Sequence, residues 1–270
     1  MTMMLGVAAS PALAAMPPLI TLPDGTYRAA APPHWDGKRK LPLVLYLHGF
    51  REDSAQIMGR DDLVEAATSL GALFVVPDGM NHGWSHEGAP THNRDDIAFL
   101  HEVVADAESH YPIDQAYVFA AGFSIGGSMV WDLACHGAQG FTAFLPFSGD
   151  FWTPYPERCD TGAVALRHTH ADNDHTFPMA GRALFGGKFH QGDLHQSMAI
   201  LEATDGCAVD PDQERREGDL DCRSWSKCGS GKQMELCIHH GDHQIQGAWL
   251  KRSIEWALRQ TATKPLFVKD

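Results

Sequence analysis

Ser124 stands between two glycines in the segment Gly122-Phe123-Ser124-Ile125-Gly126. The apolar run AYVFAAG (116–122) reads as a buried strand entering this segment. The residues after it, with Ile125, Met129, Val130 and Leu133 at helical spacing, read as a helix leaving it. A strand passing straight into a helix must turn sharply, and side chains at 122 and 126 would collide there. Such a turn holds the serine hydroxyl out and points the Ile125 N–H toward the same spot, at the positive end of a helix. The chemistry this allows is nucleophilic attack on a carbonyl; the bland alternative is an ordinary glycine-rich turn. A serine hydroxyl is a poor nucleophile at neutral pH, so the first reading requires a base and an acid that orients it.

A strand, Gly-x-Ser-x-Gly and a helix in succession make the nucleophile elbow of α/β-hydrolase folds, where the chain order is serine, acid, histidine. The acid is expected after the next strand but one, where the loop ADNDHTFP offers Asp172 and Asp174. The last strand ends in HHGDHQ, with His239, His240 and His243. Residues 239 and 240, still in the strand, would point to opposite faces and pack, so His243 is the candidate base. With 16 histidines in the chain, position rather than residue type carries that choice. Acyl transfer also needs donors for the developing oxyanion. The Ile125 N–H is one, and the Phe50 N–H, after LYLHG, is the other. His48 in that segment reads as scaffold, bonding nearby backbone.

Stepping outward, the elements alternate. Strands are expected at 26–32, 41–49, 72–79, 116–122, 141–149 and 163–172, with a last strand and its loop over 234–243. Helices are expected at 61–71, 95–111, 125–135, 193–204 and 245–260. On the 95–111 helix Ile97, Leu100, Val104 and Ala107 share a face; Asp95 and Asp96 suit its N-terminus and the nearby Arg94. Continuous apolar strands between helices imply a mostly parallel sheet covered on both faces, an α/β architecture. The Cys-rich stretch 205–233 is polar and is expected to be irregular. No repeat or linker interrupts residues 15–270, which read as one domain.

The chain has 270 residues with 44% hydrophobic and 20% charged, enough for a sizeable core. A formal net charge of −13 and the lack of a basic cluster argue against nucleic acid as a partner. No run reaches the roughly 18 apolar residues of a membrane span. Residues 1–14 are uncharged and Ala-rich and end in Ala12-Leu13-Ala14, which reads as a signal peptide without its basic start. The six cysteines, 135, 159, 207, 222, 228 and 237, are even in number and contain no Cys-x-x-Cys pair. Disulfides in a secreted or periplasmic protein therefore suit them better than zinc. Cys135 ends the helix after the serine and Cys159 follows the next strand. A right-handed crossover lets those two ends meet, so they are expected to pair.

Taken together, LHG, VPDG, RDDIAFL, HYPIDQAYVFAAGFSIGGSMVWDLAC, HADNDHTFP and GDH resemble secreted esterases of the polyhydroxybutyrate depolymerase and feruloyl esterase group, within the α/β-hydrolase superfamily. The resemblance covers roughly residues 25–250. It implies an α/β-hydrolase fold and a serine carboxylic-ester hydrolase with no cofactor or metal, acting on a small or oligomeric ester. The group's acid lies in a His-Gly-x-x-Asp-x-x-Val-Pro-like loop, which matches His170, Ala171, Asp174, Phe177 and Pro178 and favours Asp174 over Asp172. Its catalytic histidine matches Gly241-Asp242-His243. The resemblance also suggests pairing Cys207 with Cys228, which leaves Cys222 for Cys237. Ala171 replaces the group's usual Gly, and Gln-Ile-Gln follows His243 where many members have Trp-Pro, so substrate identity is less constrained. Aromatics expected at the carboxyl ends of the strands are Trp84, Phe123, Phe151, Trp152 and Phe177, besides Phe50. They suit a hydroxycinnamoyl ring or an aliphatic chain, with acetylxylan or another carbohydrate ester as the alternative. The sequence bears on two other classes. A metal hydrolase would use His168 and His170, but no His-Glu-x-x-His pattern supports it. A non-catalytic binding protein of the same fold would lack a triad member, and all three candidates are present.

Overall fold

The computed structural model describes residues 16–261. The expected signal segment, 1–14, lies outside the described residues. Twelve strands run β1 (Ile20–Leu22), β2 (Gly25–Ala30), β3 (Leu41–Leu47), β4 (Leu73–Pro77), β5 (Ile113–Phe123), β6 (Ala143–Phe147), β7 (Leu166–Ala171), β8 (Arg182–Leu184), β9 (Phe189–Gln191), β10 (Gln213–Glu217), β11 (Leu220–Trp225) and β12 (Met234–His239). The α-helices are α1 (Ser54–Met58), α2 (Asp61–Thr68), α3 (Asp96–His110), α4 (Ile125–His136), α5 (Leu194–Asp205) and α6 (Gly247–Thr261).

Ten strands form one sheet in the order β1-β2-β4-β3-β5-β6-β7-β12-β11-β10. The middle six, β4 to β12, are parallel; β1 and β2 at one edge, and β11 and β10 at the other, join antiparallel. The central strands are apolar throughout because both faces are covered. Leu43, Leu45 and Leu47 of β3 turn toward the side packed by α3, α4 and α5. Val44 and Tyr46 turn toward that of α1, α2 and α6. The expected helices and central strands are all present, within a few residues of their expected bounds. On α3, Ile97 is only half-buried, and Phe99 and Val103 join Leu100, Val104 and Ala107 inside.

The irregular stretch expected at 205–233 is a correction. It holds the hairpin β10–β11, which adds two strands to β12. Its polarity answers a charge in the core. Arg167 of β7 is fully buried and pairs with Glu235 of β12 at 2.9 Å and with Glu217 of β10 at 2.8 Å. Arg215 of β10 bonds both Glu235 and Glu217. Charged residues along β10 also leave the outer edge of the sheet unattractive to another chain. Cys135 is bonded to Cys159, Cys207 to Cys228 and Cys222 to Cys237, the pairs set out from the sequence.

Candidate active site

The chain leaves β5 at Phe123 and enters α4 at Ile125, with Ser124 alone between them. Ser124 has φ 58° and ψ −124°, a backbone conformation that a non-glycine residue adopts only under strain. It is held from both sides: its N–H donates to the Phe147 carbonyl at 2.9 Å, and its carbonyl accepts from Ser128 N–H at 3.0 Å. The flanking glycines are needed for contact. A Cβ on Gly126 would lie 2.2 Å from the Leu47 carbonyl oxygen, and one on Gly122 would lie 2.4 Å from that of Gly126.

The loops after β7 and β12 meet because those strands are parallel neighbours. Asp174 accepts from His243 there, with Oδ2 2.7 Å from Nδ1. The other oxygen, Oδ1, accepts from the N–H groups of Thr176 at 2.8 Å and Phe177 at 2.6 Å. Burial works to raise the Asp174 pKa, but the His243 and Phe177 bonds outweigh it and hold the carboxyl below its ordinary range. The Phe123 ring lies 4.6 Å from the His243 ring, so the imidazole rests on the residue next to Ser124. Asp172 turns away and bonds His240 and the Gly241 N–H. His240 corrects the sequence reading: it does not pack, but stands 71% exposed beyond the strand end. His239 does pack, stacked on Trp249 with ring centroids 4.0 Å apart.

Behind Asp174 lies a buried line of hydrogen bonds. Trp131 Nε1–H donates to His168 Nδ1 at 3.1 Å, so His168 carries its proton on Nε2. That proton is donated to His170 Nδ1 at 2.9 Å, and His170 Nε2–H donates to the Phe177 carbonyl at 2.8 Å. Burial lowers the pKa of both histidines, His170 to about 4, and keeps them neutral. With every ring nitrogen engaged, neither offers a lone pair to a metal. His48 is likewise buried; its Nε2 accepts from Gly79 N–H at 2.9 Å, and its carbonyl accepts from Trp84 Nε1–H at 2.9 Å.

Ser124 and Ile125 open into a cavity of about 340 Å³, whose walls include Phe50, Trp84, His86, Trp152, Arg182 and Phe185. Among the described residues, neither the Phe50 nor the Ile125 N–H finds an acceptor. The rim is apolar: Phe50 is 60% and Phe185 72% exposed. Of the aromatics expected around the substrate, Trp84 and Trp152 line this cavity, and Trp152 is anchored by its Nε1–H to Ser128 Oγ at 3.2 Å. Three others do not line it. Phe177 is fully buried because its backbone serves Asp174, Phe123 lies beneath His243, and Phe151 packs on Trp131. His86, Arg182, Phe185 and Gln191 were missed from the sequence. Three of these belong to the hairpin β8–β9 and its turn, whose three-residue strands are too short to show a period. Away from the cavity, Glu87, Asp132 and His136 bring possible ligand atoms within 4.8 Å of one another; burial raises Asp132 to about 6.

A mostly parallel sheet with helices on both faces and a strained strand–turn–helix junction at its centre is an α/β-hydrolase fold. Solved esterases share it. The acetyl xylan esterase from Aspergillus awamori superposes with a TM-score of 0.61 at 15% identity, over 86% of this chain and 93% of that one. A mutant of the feruloyl esterase module from Clostridium thermocellum, complexed with sinapinate, does so with a TM-score of 0.58 at 12% identity, over 90% and 86%. Within that fold the chain belongs to the Esterase family, whose model matches residues 24–183. Curated relatives include feruloyl esterase C of Emericella nidulans, 30% identical over 70% of this chain and 66% of the relative. Feruloyl esterase D of Neurospora crassa is 27% identical over 65% of this chain and 55% of the relative. The chain thus spans less than two thirds of the length of these curated relatives.

Proposed function

We propose that this protein is a serine carboxylic-ester hydrolase, with residues 15–270 acting as one catalytic domain in an oxidising compartment outside the cytoplasm. The observation that carries the reading is the 2.7 Å Asp174–His243 pair, packed against the strained Ser124 turn. Asp174 fixes the imidazole with its proton on Nδ1, which leaves Nε2 as the base. Ser124 Oγ bonds to the ester carbonyl carbon as its proton passes to His243 Nε2. The N–H groups of Phe50 and Ile125 donate to the resulting oxyanion. Collapse expels the alcohol, which takes that proton and leaves an acyl-enzyme. Water then gives a proton to His243 and attacks the acyl carbon; release of the carboxylic acid returns the proton to Ser124.

The apolar cavity favours esters with an aromatic or aliphatic body, soluble or oligomeric, over bulk polymer. Family membership and three disulfides support the activity and the compartment. A fluorophosphonate probe should label Ser124, and Ser124→Ala should abolish both labelling and turnover of short p-nitrophenyl esters, methyl ferulate, acetylated xylan or hydroxybutyrate oligomers. The loss expected is about 10⁶-fold in kcat, the scale of removing a triad nucleophile. Near-normal turnover in Ser124→Ala would refute the mechanism.

A further inference from the structure

Among the described residues, Arg182 is the only cation lining the cavity that Ser124 opens into, and no aspartate or glutamate lines it. The remaining ionisable group of the wall, His86, is kept neutral because burial lowers its pKa to about 4. In a protein of net charge −13, an arginine without a carboxylate partner in such a place calls for an explanation. Two neutral acceptors hold the guanidinium. Nε–H donates to Gln191 Oε1 at 3.0 Å and Nη1–H to the His175 carbonyl at 3.0 Å. Nη2 meets no acceptor among the described residues. Arg182 and Gln191 face each other across β8 and β9, and Gln191 in turn bridges to Trp152 of the cavity wall. The planar fork is thus oriented before any ligand arrives, exposed to solvent at the cavity mouth and without an ion pair to a carboxylate among the described residues.

We propose that Arg182 is a specificity determinant that binds a carboxylate carried by the substrate some bonds away from the scissile ester. The preferred substrates are then half-esters of dicarboxylic acids or esters of like chemistry, rather than wholly neutral esters. The inference rests on the ester-hydrolase reading and adds to it an anion that neither the aromatic walls nor the triad would select. A purely structural Arg182, tying the hairpin to the loop of Asp174 through His175, would affect all esters alike.

The test compares monomethyl adipate with dimethyl adipate at neutral pH and fixed ionic strength. Per ester group, the parent enzyme should favour the half-ester in kcat/KM on the order of tenfold, the scale of a charge-assisted hydrogen bond. In Arg182→Gln that ratio should fall to about parity or below, and Arg182→Lys should restore only part of it. Equal or lower kcat/KM for the half-ester in the parent, or a preference that survives in Arg182→Gln, would overturn the inference. Binding of the two esters to Ser124→Ala protein gives the same comparison without chemistry. Tighter half-ester binding that depends on Arg182 supports the inference, and its absence overturns it. Failure of the ester-hydrolase reading shows instead as turnover that persists in Ser124→Ala, so the two failures are told apart.

Discussion

Asp172 and Asp174 are two residues apart, yet their partners separate them. Asp174 is enclosed, accepts two backbone N–H groups and faces His243. Asp172 lies at the surface against His240. Asp174→Asn presents the imidazole with the wrong hydrogen-bond pattern, and kcat should drop about 10⁴-fold, as loss of the orienting carboxylate does in other triads. Asp172→Asn should leave kcat nearly unchanged, because its histidine partner is remote from Ser124. Steady-state kinetics of both variants on one p-nitrophenyl ester decide the assignment, and the opposite ranking would reverse it.

At the scale of elements, the parallel pairing of β7 with β12 brings Asp174 and His243 together, and the histidine line of β7 supports the loop of Asp174. His170→Phe would leave two buried groups without partners: the Phe177 carbonyl and the Nε2–H of His168. An unsatisfied buried polar group costs about 1–3 kcal/mol, so urea unfolding should report a loss of that order or more. Activity should fall as well, since Phe177 N–H is one of the donors that hold Asp174. If stability fell while kcat stayed normal, the line would support the core without positioning the acid.

For the whole molecule, burial raises the carboxyls of Asp205 and Glu202 to about 7 and pushes that of Asp150 well above the carboxylate range. These groups hold protons in the folded state that the unfolded chain has already released. Taken alone, they make stability fall as pH rises from about 4 to about 7, whereas His86, His168 and His170, kept neutral by burial, release protons on folding and oppose that trend. Asp205 carries one such cost of burial, since its Oδ2 is buried with no hydrogen bond. Asp205→Asn should shift the slope of melting temperature against pH toward positive values in that window, and an unchanged slope would exclude Asp205 as a contributor. The disulfides act on the same balance from the unfolded side. They close intervals of 24, 21 and 15 residues. In the chain-entropy model each is worth roughly 3 kcal/mol. Reduction should lower the melting temperature and, because Cys237 lies on β12 ahead of the His243 loop, activity with it. Six titratable thiols in the native, exported protein would refute the bonds.

The sequence by itself determined the alternation of central strands and helices, because strands buried on both faces must be apolar throughout and helices between them repeat at a helical period. It also marked the Ser124 turn, because two glycines at a strand–helix junction answer a local steric demand. It narrowed the acid to two residues and the base to the end of the last strand, since the order of strands fixes which loops share an edge of the sheet. The tertiary structure decided what depends on contacts between distant segments. Arg167, deep in β7, pairs with Glu235 of the neighbouring β12 and with Glu217 of β10 at the far edge, which ties two further strands of a polar stretch to the sheet. His240 projects outward because the strand stops one residue before it. Phe177 and Phe123 serve the acid and the base from behind, whereas Arg182 and Phe185 reach the cavity from a hairpin with no period of its own. The identity of a cavity wall is set by how separate loops converge, and no single stretch of chain encodes that.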